Sequence, residues 1–187
     1  MPHTFELSDE NFAGLQKHAI PLKDDLNSVI AKLLASKESV LEADEEATEE
    51  ERRRPIEASK KFDAATPPDL THTKLIAVIF DGKVIEKPTW NKLKDAAIRA
   101  AYAATPDQKQ LGQMILCPFT KGQKTDEGYR FFEDINLSVQ GQDALSSYKV
   151  AYHIALALGL SMRVQFIWRQ KEAAQFPGVT GLMHKPA

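Results

Sequence analysis

The strongest constraint on the fold lies in the first 36 residues, which carry the pattern of three short elements and too little apolar material to enclose a core. His3-Thr4-Phe5-Glu6-Leu7 alternates, with Phe5 and Leu7 on one face and Thr4 and Glu6 on the other, as a half-buried strand does. Ser8 or Asp9 then caps a helix whose acidic first turn, Asp9 and Glu10, complements the helix dipole; Phe12, Leu15 and Ala19 mark its apolar stripe. Ile20-Pro21-Leu22-Lys23 ends that helix, and Asp24 or Asp25 caps a second one carrying Val29, Ile30, Leu33 and Leu34 at helical spacing. A unit below roughly 40 residues seldom holds one core without disulfide or metal. A lone strand with two unpaired edges finds its remedy in the same strand of a second chain, giving an antiparallel ribbon over four helices. The expected assembly is a homodimer or larger, with Thr4, Phe5, Glu6, Leu7, Phe12, Leu15, Val29, Ile30 and Leu33 at the dimer interface.

The run Thr4-Phe5-Glu6-Leu7-Ser8-Asp9-Glu10 followed by Phe12 and Leu15 resembles the ribbon-helix-helix superfamily, and within it the N-terminal oligomerisation segment of the SeqA family of replication modulators. In typical members, the resemblance implies, the outward strand residues Thr4 and Glu6 read the major groove and Asn27 and Ser28 touch phosphate; in the SeqA-like variant the ribbon serves self-association. Charge favours the second use. Two copies of Glu6 over a groove and Asp24 and Asp25 near phosphates would be repelled, with only Lys23 as nearby cationic support.

Residues 37–68 change character. Acidic blocks at 44–46 and 49–51 precede Arg52-Arg53-Arg54-Pro55, and Pro67-Pro68 closes the segment, the composition of a charged helical or flexible linker. Divided at residue 68, the overall charge of -2 becomes -6 before it and +4 after it, so a polyanion would be attracted mainly by residues 69–187.

That C-terminal part reads as an α+β domain with a small, mostly antiparallel sheet and two or three helices. Lys74–Phe80 is a strand, and Asp81-Gly82 turns it into a hairpin with 83–86. Thr89 caps a helix to about Ala104 with Trp90, Leu93, Ala97 and Ala101 inward, and Pro106 starts a shorter helix. A polar loop, 120–128, leads to a strand at 129–132. Residues 136–143 read as a loop before a long helix capped by Asp143, where free N–H groups and neutral side chains suit phosphate or adenine edges. Met162–Arg169 is a strand that alternates except at Ile167, with Arg163, Gln165 and Arg169 on a different face from Val164, Phe166 and Trp168, and the tail from Phe176 is a turn or a loop packed back onto the sheet. The expected nucleic-acid contacts are Lys121, Lys124, Arg130, Asn136, Ser138, Gln140, Gln142, Lys149, Arg163, Arg169 and Lys171.

No metal-ligand spacing or catalytic constellation stands out. The five histidines are scattered, Cys117 lacks an activating context, and no catalytic residue, metal or cofactor is expected. The lone cysteine and the absence of a long apolar stretch lead us to expect a cytoplasmic protein with no membrane partner. The leading functional expectation is an oligomeric, non-enzymatic DNA-binding protein that associates through its N-terminal module and contacts DNA through its C-terminal domain. The alternatives are a ribbon-helix-helix repressor or antitoxin that reads DNA with its ribbon and has room for a protein partner, and a nuclease-like enzyme built around Glu133 and Asp134.

Overall fold

The structure, a computed structural model, describes residues 6–21, 23–105 and 107–187, and the chain divides into two compact units, Met1–Glu38 and Ser39–Ala187. In the first unit Ser8 caps α1 (Asp9–Gln16) by accepting the Asn11 amide, and the Asp25 carboxylate accepts the Ser28 amide at 2.8 Å at the start of α2 (Leu26–Glu42). Of the strand expected over 3–7, Thr4 and Phe5 lie outside the described residues, and Glu6 and Leu7 form no strand. Asp24 accepts the Ile20 amide and pairs with Lys32, whose hydrogen bond holds its carboxyl below the usual carboxylate range. α1 buries none of its residues. Val29 is the one buried apolar side chain among the unit's described residues, while Phe12, Ile20 and Leu34 stand exposed.

The second unit is mixed α and β, and it absorbs most of the segment expected as a linker. Residues 37–42 continue α2; α3 (Glu49–Arg52) starts on a capping box in which Thr48 and Glu51 satisfy each other's backbone amides, and a 3-10 turn follows at Ile56–Ala58. β1 (Lys60–Phe62) then enters a sheet. The small apolar residues between the charges explain the difference from a solvated linker: Ala43, Ala47 and Ala64 are buried, and the Ala43 carbonyl accepts the Trp90 amide at 3.0 Å.

This sheet has five strands: β1, β2 (Thr73–Phe80), β3 (Lys83–Val84), β7 (Met162–Trp168) and β8 (Thr180–Lys185), in the order β1-β8-β7-β2-β3. Only the β1–β8 pair is parallel. Asp81 and Gly82 take the positive φ values, 49° and 72°, that a two-residue hairpin turn demands. The tail forms a full strand, β8, where a turn or loop is expected from its sequence. Its Gly181 pairs with Phe166 and leaves the place of a side chain to that residue's ring: a Cβ there would lie 2.3 Å from it.

Val164, Phe166 and Trp168 of β7 face α4 (Trp90–Ala104) and α6 (Ala144–Ala157), which are capped by Thr89 and Asp143 as predicted. Trp90, Leu93, Ala97 and Ala101 are all buried. The aromatic rings form one cluster, with centroid separations of 4.8 Å for Phe166 and Trp168, 5.9 Å for Trp90 and Phe166, and 6.2 Å for Trp90 and Tyr148. Their polar ends are satisfied: Trp90 donates to Thr73 Oγ1, Trp168 to the Asp69 carbonyl, and Tyr148 to the Ala64 carbonyl.

A second sheet, in the order β4-β6-β5, comprises β4 (Phe119–Lys121), β5 (Tyr129–Phe132) and β6 (Leu137–Gln140), all antiparallel, while α5 (Gln108–Met114) packs near α6. Pro106, the expected start of α5, lies outside the described residues. Among those residues no helix is long and apolar enough to cross a membrane.

Replacing Gly181 with alanine forces a methyl group into the Phe166 ring. Gly181→Ala is expected to lower the unfolding free energy by about 1–3 kcal/mol, the usual range for overpacking, as measured by urea titration; an unchanged midpoint would refute the close packing described.

Candidate nucleic-acid interface

The cations and polar side chains expected to contact nucleic acid fall into three groups. The first lies in or beside β6, with its backbone committed to the fold and only the Asn136 side chain exposed. Ser138 is fully buried in β6, where its hydroxyl donates to the Gly122 carbonyl at 2.7 Å and accepts the Lys124 amide at 2.7 Å. Gln140 donates to the Glu127 carbonyl, and its own carbonyl accepts the ammonium of the fully buried Lys94 at 2.7 Å. The Gln142 backbone exchanges two hydrogen bonds with the Asn91 side chain, both 3.0 Å. Asn136 takes a left-handed conformation at φ 49° to turn the chain into β6, and its carbonyl accepts the Gly122 amide. The expected phosphate-binding loop at 136–143 is therefore largely a central strand whose backbone groups are already paired. Leu137 and Val139 override the polar composition, because their alternate positions bury one face of β6.

The second group is neutralised by carboxylates of the chain itself, several of them in or beside the acidic segment. Arg130 pairs with Asp95 at 2.8 Å and Asp44 at 3.4 Å; Arg169 pairs with Glu45 and donates to the Glu42 carbonyl. Lys171 pairs with Glu42, whose other oxygen lies 2.8 Å from His72 Nδ1. Burial pushes the Glu42 carboxyl up, but the hydrogen bonds from Lys171 and His72 outweigh it and hold the group below its ordinary value. Burial also pushes Asp95 up against the pull of Arg130 and Lys94, and pushes Lys94 down. Lys124 is engaged at the surface, pairing with Glu127 at 2.6 Å and lying 4.4 Å over the Tyr129 ring. Asp134 meets Arg99 at 2.7 Å, and among the described residues no three potential metal-binding side chains converge.

Lys121, Lys149 and Arg163 form the third group, exposed and outside every ion pair found among the described residues. Lys121 and Lys149 sit apart on β4 and α6. Arg163 does not stand alone. The register places it opposite His184 on β8, while Lys61 of β1 lies opposite Leu182, two residues before His184. Strand alternation puts all four side chains on the sheet face turned away from α4 and α6. With Phe62 they line an open groove of about 430 Å³ that contains no acidic side chain. The 49–59 segment covers the neighbouring part of this face: Gln165 donates to the Arg54 carbonyl and to Ser59 Oγ, and Lys74 approaches Glu51 at 3.7 Å.

Sequence reasoning missed Lys61 and His184 because it placed them in a linker and a tail. Neither Lys60-Lys61-Phe62 nor Leu182-Met183-His184 alternates polar with apolar, so neither stretch identifies a strand without its partner. Cys117 is buried, which pushes its thiol up to about 11, well away from the range of a reactive thiolate.

No family model, no curated protein and no solved structure matches this chain.

The Glu42 cluster has a pH signature. A carboxylate whose folded-state pKa lies below its unfolded value stabilises the fold above that unfolded value, about 4.3 for glutamate, and loses the contribution as pH falls through the folded one. Glu42 is buried, and Glu42→Gln is expected to cost about 1.5–3 kcal/mol at pH 7, the scale of hydrogen bonds to a charged group. The gap from the parent protein should close on acidification below about pH 4; denaturant titrations across that range check it.

Proposed function

We propose that the protein is a non-enzymatic DNA-binding oligomer, in which the N-terminal unit joins copies and the cationic sheet face of the second unit contacts DNA. The observation that carries the reading is the contrast between two sets of cations. Arg130, Arg169 and Lys171 are matched by carboxylates of the chain itself, whereas Lys61 and Arg163, with the His184 imidazole beside them, share one open groove that no carboxylate lines. Unpaired cations gathered in a concavity are what an anionic polymer needs, and each phosphate they neutralise releases counterions.

The N-terminal half of the reading rests on incomplete burial. Exposed Phe12 and Leu34 and a concavity walled by Leu7, Leu15 and Leu33 leave this unit with the open face that a second copy of the same unit would close. Joining two cationic faces in this way raises the local concentration of the second once the first has bound.

Two measurements test the halves separately. Electrophoretic shift or fluorescence anisotropy with the full chain should show affinity falling with salt. The double variant K61E/R163E should weaken binding by about tenfold or more and flatten the salt slope, while Lys149→Glu changes it little; equal loss in both would remove the groove from the interface. Light scattering should give at least a dimeric mass for the parent chain and a smaller one for the Phe12→Glu and Leu34→Glu double variant. A monomeric parent chain would end the self-association reading.

A further inference from the structure

Resting on the reading of the Lys61–Arg163–His184 groove as a DNA contact, we propose that it holds the sugar-phosphate backbone of duplex DNA and reads no bases. The first support is where the cations stand. Arg163 lies on β7, the central strand of five, with β8 and β1 on one side and β2 and β3 on the other. Strands lie about 4.8 Å apart, so this sheet is roughly 19 Å wide. The major groove of DNA, about 12 Å across, admits a helix or a two-stranded ribbon. A five-stranded sheet stays outside it, and Arg163, on the middle strand and one residue in from the start of β7, meets the duplex from outside the groove, where the phosphates stand.

The second support is what else the face presents. Gln165, its one amide side chain on β7, is buried and already donates to the Arg54 carbonyl and Ser59. Leu182 and Ile79 add apolar surface without hydrogen-bonding capacity. Phe62 is the one aromatic residue lining the groove, and its ring is packed among Phe166, Trp168 and Phe176 at 5.6–6.1 Å with Lys60 over it. A single strand gains most of its sequence-tolerant affinity by stacking bases on free aromatic faces. This groove offers none, which removes the main reason to prefer single-stranded DNA.

The third support is spacing. Side chains directly opposite on paired strands stand about 5 Å apart and diagonal ones about 7–8 Å. The register gives Arg163 and His184 the first relation, and His184 and Lys61 the second. Charges of one DNA strand rise by about 3.4 Å each along the axis, so the row of Arg163, His184 and Lys61, two cations with an imidazole between them, follows a few consecutive phosphates of a single strand.

The test uses the full chain with labelled short duplexes of unrelated sequence and composition and with the matching single strands, measured by anisotropy over a salt series. Duplexes should bind within about twofold of one another, single strands about tenfold more weakly, and the salt slope should fall by about 0.9 for each of Lys61→Gln and Arg163→Gln, the value of one phosphate contact. A single duplex preferred by tenfold or more, or single strands bound as tightly as duplex, would overturn the inference while leaving the groove as the DNA contact. Binding that the two glutamine variants do not change would overturn the groove reading itself. Both positions are exposed, and unchanged thermal unfolding of the variants confirms that the fold is intact.

Discussion

The second unit depends on the close approach of Phe166 to Gly181. With no side chain on β8 at that position, the Phe166 ring lies over the neighbouring strand and still reaches Trp90, Trp168 and Phe62. That contact seats β8 beside β7, and β8 in turn provides the edge on which β1 pairs. Lys61, Arg163 and His184 therefore share a groove because one aromatic ring and one glycine allow three strands from distant parts of the chain to lie side by side.

Charge follows the same geometry. The acidic block that looks self-repelling along the chain is distributed in space over Lys92, Arg130 and Arg169, and Glu42 just before it meets Lys171 and His72. Buried Ala43 and Ala47 bind the block to the fold, so these ion pairs belong to the packed structure rather than to a loose electrostatic encounter. The -6 and +4 of the two parts of the sequence consequently overstate the field that a partner would meet. What remains available is smaller and more local: scattered lysines such as Lys121 and Lys149, and the groove that gathers Lys61, Arg163 and His184.

Helix starts were legible because they are local. Thr89 and Asp143 cap the helices they were expected to cap, and Ser8 and Asp25 are each one of the two candidates offered for theirs, since a side-chain oxygen and an amide three residues on are all that a cap needs. The Asp81-Gly82 hairpin and the two-faced β7 were legible for the same reason, one through backbone conformation and the other through a period of two. The short strands β1, β4, β6 and β8 were not, because three to six residues carry too little pattern to outweigh a charged or polar composition. Of the candidate site, Arg163 was found by its place on a legible strand, while Lys61 and His184 were lost with the strands that bear them.

By itself, then, the sequence determined the α+β class, the capped helices, the hairpin, the Trp90 and Phe166 core positions, and an N-terminal unit with too little apolar surface to enclose itself. The tertiary structure decided which charges are spent and which are available. A charge along the chain has only near neighbours, whereas Glu42 meets Lys171, and Lys61 shares a groove with Arg163, across more than a hundred residues. Pairing at that range depends on strand order and register, which are set by how the aromatic core packs.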